Sequence, residues 1–146
     1  MSAEVRPVVR RAGTDADGPQ LASRLVRWLE DGVRPDDLFA DDLFTDFSLP
    51  QWRVQGTSAE DGFRMRETSH PATGTVRVER LAPTDAGFLL QFEERWVAEG
   101  QHWYCREMIH ACVDDGRISR MDVYCTGDWD EALQRRHALE VRLARP

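Results

Sequence analysis

The sequence predicts an α+β domain in which helices near the N-terminus cover one face of a curved antiparallel sheet. An amphipathic helix pattern lies in the first quarter of the chain. Farther along, aromatic and β-branched residues alternate with polar ones over several segments, which is the period-two signal of strands. Helices followed by consecutive strands are typical of α+β proteins. The clearest strand segments are Phe88–Val97, His102–Val113 and Ile118–Cys125.

Two short turns join these strands into a meander. Glu99-Gly100 separates the first two strands, and Asp115-Gly116, a strong hairpin signal, separates the last two. A curved sheet of this kind needs its concave face covered. We therefore expect the N-terminal helices to cover that face and to leave a blind pocket between helix and sheet.

The remaining elements follow in order along the chain. Residues 1–18 lack periodicity and are expected to form a flexible arm, residues 19–140 a single domain, and residues 141–146 a tail. Leu21, Leu25 and Leu29 form the apolar stripe of a helix that Pro19 opens. The other predicted elements are a helical turn at Pro35–Ala40, a strand at Leu43–Leu49, an edge segment with Trp52 and Val54, a helix capped by Thr57 or Ser58, a strand at Thr75–Leu81 and a helix at Glu131–Leu139.

Composition excludes several classes of function. The net charge is −7 and all 19 basic residues are arginine, so a nucleic-acid partner is not expected and a Schiff-base lysine is excluded. The sequence has neither a long apolar run nor an apolar leader, so we expect no membrane partner and a cytoplasmic location. The three cysteines match no metal-binding spacing and are expected to be reduced, buried residues.

Two short motifs carry a family resemblance. The Val113–Ile118 hairpin followed by Tyr124 resembles the closing hairpin of the nuclear transport factor 2-like superfamily, and Leu38–Asp42 resembles its entry into the first strand. Within that superfamily the chain is similar to SnoaL-like polyketide cyclases, limonene epoxide hydrolase and ketosteroid isomerase. The similarity runs from Gln20 to Thr126. It implies a cone-shaped α+β barrel, whereas the reaction is left open because this fold hosts many.

The catalytic residues of those enzymes do not carry over. The resemblance places Phe47 where ketosteroid isomerase has its general base, with Asp46 one residue away, and Ile109 where it has its oxyanion-hole acid; in that enzyme both groups are carboxyl groups. Val123 takes the place of the epoxide hydrolase aspartate. Steroid isomerisation and that epoxide opening are therefore both disfavoured.

Strand parity instead points to two glutamates. If the first hairpin turns at Glu99-Gly100, Phe92 lies opposite Glu107 and Glu94 opposite Cys105, so both carboxyl groups share the apolar face. Burial and mutual repulsion would raise at least one pKa, as general acid–base catalysis requires. We therefore predict that Glu107 and Glu94 are catalytic, with Glu107 buried. A bulge in the hairpin would exchange Glu94 for Arg95.

The same parity predicts the lining of an aromatic pocket. Its substrate-binding candidates are Trp28, Phe47, Leu90, Phe92, Trp96, Trp103, Cys105, Ile109, Met121 and Val123. Such a pocket suits a large apolar or polycyclic ligand. The resulting hypothesis, whose substrate class comes from the resemblance, is a cofactor-independent cyclase or isomerase acting on a polyketide-type intermediate in natural-product biosynthesis. The alternative is a non-catalytic small-molecule-binding or interaction module of the same fold.

Two further expectations concern assembly and metals. Aromatic and apolar residues on the outer sheet face, including Tyr104, Met108, His110 and Tyr124, predict a homodimer. The four histidines lie on separate elements, so no bound metal is expected.

Overall fold

The computed structural model describes residues 14–146, with side chains from Gly18 onward. Three helices and six strands follow one another along the described part of the chain. They are α1 (Thr14–Asp31), β1 (Phe39–Leu49), β2 (Trp52–Gly56), α2 (Ala59–Ser69), β3 (Gly74–Pro83), β4 (Gly87–Ala98), β5 (Gln101–Asp114), β6 (Arg117–Cys125) and α3 (Glu131–Glu140). The α+β class is confirmed. None of the described helices is both long and apolar enough to cross a membrane.

The six strands form one curved sheet in the order β2-β1-β6-β5-β4-β3. Neighbouring strands are antiparallel except β1 and β6, which run parallel, with Phe47 beside Val123. The sheet stays open, with β2 and β3 at its edges, and does not close into the cone-shaped barrel implied by the resemblance. Register shifts at Val78/Arg80 and Cys112/Val113 mark β-bulges, which bend strands and deepen the concave face.

The predicted meander is confirmed residue by residue. Phe92 pairs with Glu107 and Glu94 with Cys105, so the first hairpin contains no parity-changing bulge. Glu99-Gly100 and Asp115-Gly116 turn with positive φ at both residues, between 50° and 75°, as a two-residue type I′ hairpin requires.

Two local predictions need correction. Pro35–Ala40 is not a helical turn, because β1 already begins at Phe39 after a bend in which Asp37 has φ 57°. Pro19 lies inside α1 instead of opening it, since α1 begins at Thr14. Because proline has no N–H, Pro19 leaves one intrahelical hydrogen bond unmade inside α1. The expected arm at residues 1–18 otherwise falls largely on residues outside the described part of the chain.

Helix α1 packs its apolar stripe on the concave face of the sheet. Leu21, Leu25 and Leu29 are buried against Phe88 and Leu90 from β4. Burying each such side chain contributes about 1.5–3 kcal/mol. Helix α2 covers the neighbouring part of the sheet, over β1.

Gly62 explains how closely α2 approaches β1. A β-carbon built at Gly62 would lie 3.1 Å from Leu43 Cδ2 and 3.5 Å from Thr45 Oγ1. The glycine weakens the helix locally but permits this close contact. The two helices and the sheet thereby enclose the candidate site.

Candidate active site

A cavity of about 100 Å³ lies between the two N-terminal helices and the concave face of the sheet. It is partly open to solvent, where the partly or fully exposed Leu49, Ser69, His70 and Asp128 form its mouth. Most of the wall is apolar. The polar and charged side chains in the wall are Thr45, Arg66, Ser69, His70, Glu107, Cys125 and Asp128.

The structure brings about half of the sequence-predicted residues to the cavity wall. Those that line it are Trp28, Phe47, Ile109, Met121, Val123 and Glu107. Leu90, Phe92 and Cys105 are almost fully buried on the same face but lie behind the lining residues. Trp96 and Trp103 stack on each other with ring centroids 6.4 Å apart, beside His70 and outside this wall. Both tryptophans lie near the β4–β5 turn. Strand parity predicts which face of the sheet a side chain is on, but it does not predict where along the strand the cavity lies.

Glu107 is a buried carboxyl group in the wall of this cavity. The residue is 8% exposed, and burial is the main cause that raises the pKa of Glu107 well above its ordinary value. The charge of Glu94 and a hydrogen bond with Glu94 act in the same direction, while nearby Arg66 opposes them. The surroundings of Glu107 therefore favour its uncharged, protonated form.

Glu94 lies beside Glu107, but its pKa is shifted in the opposite direction. Burial is the largest single cause and would raise the pKa of Glu94, but the hydrogen bonds and charge of Arg66, with a hydrogen bond from Glu107, together hold that pKa below its ordinary value. Arg66 Nη2 donates to Glu94 Oε1 at 2.5 Å and Arg66 Nη1 to Oε2 at 3.0 Å. Glu94 does not line the cavity. Its negative charge instead acts on the ligand site through Glu107.

Arg66 joins α1, α2 and the sheet at this point. Besides its two bonds to Glu94, its Nη2 donates to the carbonyl oxygen of Leu29, near the C-terminal end of α1, at 2.8 Å. Its side chain is 13% exposed and that of Glu94 is 3% exposed. This bidentate pair is therefore a largely desolvated ion pair within the fold.

Two cysteines lie next to Glu107, Cys125 in the cavity wall and Cys105 behind it. Cys105 and Cys125 place their sulfur atoms, together with a Glu107 carboxyl oxygen, within 4.8 Å of one another. Cys125 Sγ also accepts a bond from Gly127 N at 3.3 Å. A bond from Cys105 is the largest cause that lowers the pKa of Cys125, whereas the pKa of Cys105 is raised. Two thiols and a carboxyl group could hold a thiophilic ion such as zinc, and the expectation of no bound metal remains a prediction.

His70 and Asp128 flank the mouth. Burial, and then the charge of Arg66, lower the pKa of His70 to about 4, so its imidazole is neutral at pH 7. Burial raises the pKa of Asp128.

Sequence reasoning missed Arg66, Cys125 and Asp128 as site residues. Arg66 lies on α2. The alternation of residues within strands does not show which helix side chains face the sheet. Cys125 shares its face with Met121 and Val123, so parity could have identified it. Asp128 follows Gly127, whose φ of 81° turns the chain back toward the mouth, and that turn could not be placed from the sequence.

Comparison with solved structures is consistent with this architecture. An NTF2-like protein from Anabaena variabilis ATCC 29413 superposes with a TM-score of 0.66 at 14% identity, covering 84% of this chain and 97% of the other. A candidate SnoaL-like polyketide cyclase from Jannaschia sp. CCS1 gives 0.62 at 13% identity, with 93% and 100% coverage. A candidate ketosteroid isomerase from Kribbella flavida DSM 17836 gives 0.58 at 21% identity, with 92% and 96% coverage.

The chain therefore has the NTF2-like fold, which confirms the resemblance noted in its two motifs. By sequence, no protein-family model and no curated protein matches it. At these identities the similarity establishes the fold, and the chemistry has to be argued from the cavity itself.

Proposed function

We propose that the protein is a cofactor-independent isomerase or cyclase that acts on an apolar, polyketide-type intermediate in natural-product biosynthesis. The observation that carries this proposal is Glu107, a buried carboxyl group with a raised pKa in the wall of a mostly apolar cavity. The substrate class is supported by the likeness to the Jannaschia protein. A ligand larger than the cavity would extend through its open side into solvent.

Glu107 would act first as a general acid and then as a base. It donates its proton to the ligand, and the carboxylate that forms takes a proton from another position of the ligand, so that a proton shifts without any cofactor. Arg66, whose charge favours ionised Glu107, stabilises this transient carboxylate. Glu94, whose ionised form Arg66 favours, accepts the hydrogen bond of protonated Glu107 before the reaction. Because a carboxylic acid has only one O–H, the Glu107 hydroxyl turns from Glu94 to the ligand before it transfers its proton. General acid–base catalysis of this kind contributes about 10²–10⁴-fold.

The test is proton exchange in D₂O with a β,γ-unsaturated cyclohexenone as the probe, followed by proton NMR. We expect the protein to accelerate deuterium incorporation and conjugation of the double bond. Glu107→Gln should reduce this acceleration by about 10²–10⁴-fold. Glu93→Gln is the matched control, because Glu93 is also 8% exposed but lies on the opposite face of the sheet. A Glu107→Gln variant as active as the Glu93→Gln control would exclude Glu107 as the proton-transfer group.

The alternative is a non-catalytic binding module. It is favoured by the three apolar residues Phe47, Ile109 and Val123, which line the cavity at positions where the similar enzymes carry acids. A binding module would leave the deuterium exchange of the probe at its uncatalysed rate. It would still bind the probe, with an affinity that Glu107→Gln changes only modestly.

A further inference from the structure

Two polar atoms at the cavity have no hydrogen-bond partner within the described part of the chain. They are Trp28 Nε1 and Thr45 Oγ1, and each residue is 4% exposed. More than nine in ten buried polar groups in native proteins are paired, because an unpaired one loses its hydration without compensation. Two orphaned atoms on side chains of one cavity wall therefore require an explanation.

Packing alone does not explain either polar atom. The Trp28 ring lies edge-on to Phe39 and Phe63, with centroids 5.3 and 5.6 Å away, and an aromatic ring without an N–H could make similar contacts. Thr45 lies on the inner face of β1, where valine would have nearly the same shape and a higher preference for burial. Both residues thus carry a polar atom that the fold does not use.

The two atoms share one chemical capacity. An indole N–H can only donate a hydrogen bond, and a threonine hydroxyl can donate as well as accept. We propose that Trp28 Nε1 and Thr45 Oγ1 each donate a hydrogen bond to a carbonyl or hydroxyl oxygen of the ligand, after small side-chain rotations that turn these buried atoms toward the cavity. This inference rests on the proposed function only in that the cavity is the ligand site.

Strand register places the ligand oxygen bound by Thr45 away from the end of the ligand that reacts at Glu107. Thr45 pairs with Met121 and Glu107 pairs with Cys125, so four residues of β6 separate the two positions. At about 3.3 Å per residue, the offset along the strand is about 13 Å. Thr45 is buried, whereas the mouth lies at Ser69, His70 and Asp128. The ligand class is therefore an elongated apolar molecule that enters with an oxygen-bearing end first and reacts nearer its other end.

The test compares two probes of nearly the same shape, acetophenone and isopropylbenzene, of which only acetophenone has an acceptor oxygen. Dissociation constants are measured by NMR titration for the wild type, Thr45→Val and Trp28→Phe. We expect the preference for acetophenone to fall about three- to tenfold in each variant, the range of one hydrogen bond. The melting temperature should stay unchanged or rise, because neither variant loses a bond within the protein.

Matched controls come from paired residues of the same types. Thr84 Oγ1 bonds His110 Nε2 at 2.9 Å, and Trp103 Nε1 donates to the carbonyl oxygen of Ala98 at 3.0 Å. Thr84→Val and Trp103→Phe should lower the melting temperature and leave the probe preference unchanged. This is the reverse of the result expected for the two proposed ligand contacts.

Three outcomes would overturn the inference. If both probes bind and either cavity variant keeps the wild-type preference, the inference fails while the cavity remains the ligand site. A lower melting temperature for Thr45→Val would show that the hydroxyl has a partner within the protein. If neither probe binds the wild type, both the inference and the ligand site of the proposed function fail.

Discussion

Removing the guanidinium of Arg66 is the most severe single change that the structure predicts. Arg66→Met keeps the aliphatic stem of the side chain but leaves the Glu94 carboxylate buried without a cation. Three hydrogen bonds are lost, two to Glu94 and one to the carbonyl oxygen of Leu29. The variant should therefore be destabilised through an uncompensated charge and through a weaker junction between α1 and α2.

The magnitude follows from the burial of the pair. Exposed ion pairs contribute about 0–1 kcal/mol, but the two side chains here are only 13% and 3% exposed. Removing one partner of a buried pair costs about 3–5 kcal/mol. This is a large part of the roughly 5–15 kcal/mol that stabilises a typical domain. We therefore expect a large decrease in the urea midpoint at pH 7.

The assay is urea unfolding with four variants, Arg66→Met, Glu94→Gln, the double variant that combines them, and Arg77→Met. Arg77→Met is the control, because Arg77 also pairs with a glutamate, Glu93, at 2.9 Å, but its own side chain is 63% exposed. It should cost at most about 1 kcal/mol. Adding Glu94→Gln to Arg66→Met removes the unpaired charge and should recover part of the loss, which a double-mutant cycle measures.

The pH dependence provides an independent check. The pKa of Glu94 is lowered in the folded protein, so the ion pair's contribution is present above the unfolded pKa and is lost as pH falls through the folded pKa. The stability difference between wild type and Arg66→Met should therefore shrink toward acid pH. A loss below about 1 kcal/mol at pH 7, equal to that of Arg77→Met, would refute the view that this pair is desolvated.

Four other predictions concern the site and the outer face. The raised pKa of Glu107 means that wild-type stability falls as pH rises above the unfolded glutamate value, and urea titrations should show a flatter profile for Glu107→Gln. With limiting iodoacetamide, peptide mass spectrometry should find Cys125 modified before the other two cysteines, whose thiol pKa values are raised; equal rates would contradict this. Sedimentation should show a homodimer that Met108→Glu and Tyr124→Glu dissociate, since these neighbouring side chains are 38% and 64% exposed; a wild-type monomer at high micromolar concentration would exclude it. Elemental analysis should find no stoichiometric metal, and zinc retained through Cys125 and Glu107 would disprove that expectation.

The sequence predicted the hairpins well because their information is local. Turn residues and alternation together specify which residues pair, and the pairing of Phe92 with Glu107 was correct. The parallel pairing of β1 with β6 was not foreseen, because no turn signal connects strands that lie so far apart in the chain. The open sheet follows from the same long-range pairing, which leaves β2 and β3 as edges.

Side-chain partners were harder to predict than strand register. Glu93 and Arg106 lie opposite each other in the hairpin, yet Glu93 bonds Arg77 and Tyr104, while Arg106 bonds Glu79. Long flexible side chains reach diagonal neighbours, so a register does not specify an ion pair. Parity correctly put Glu107 and Glu94 on the concave face. It could not show that a helix would supply Arg66 and so shift the pKa values of the two carboxyl groups in opposite directions.

The parallel contact between β1 and β6 has a consequence for folding. Phe47 and Val123 are neighbours in the cavity wall although 76 positions separate them in the chain, from 47 to 123. Closing so long a loop before its contacts form is entropically costly, which favours slow folding. During synthesis, β1 can pair with β6 only after the chain has been made as far as Cys125. Until then, the apolar residues of β1 that later line the cavity lack this neighbouring strand. The nascent chain is most prone to aggregate during this interval.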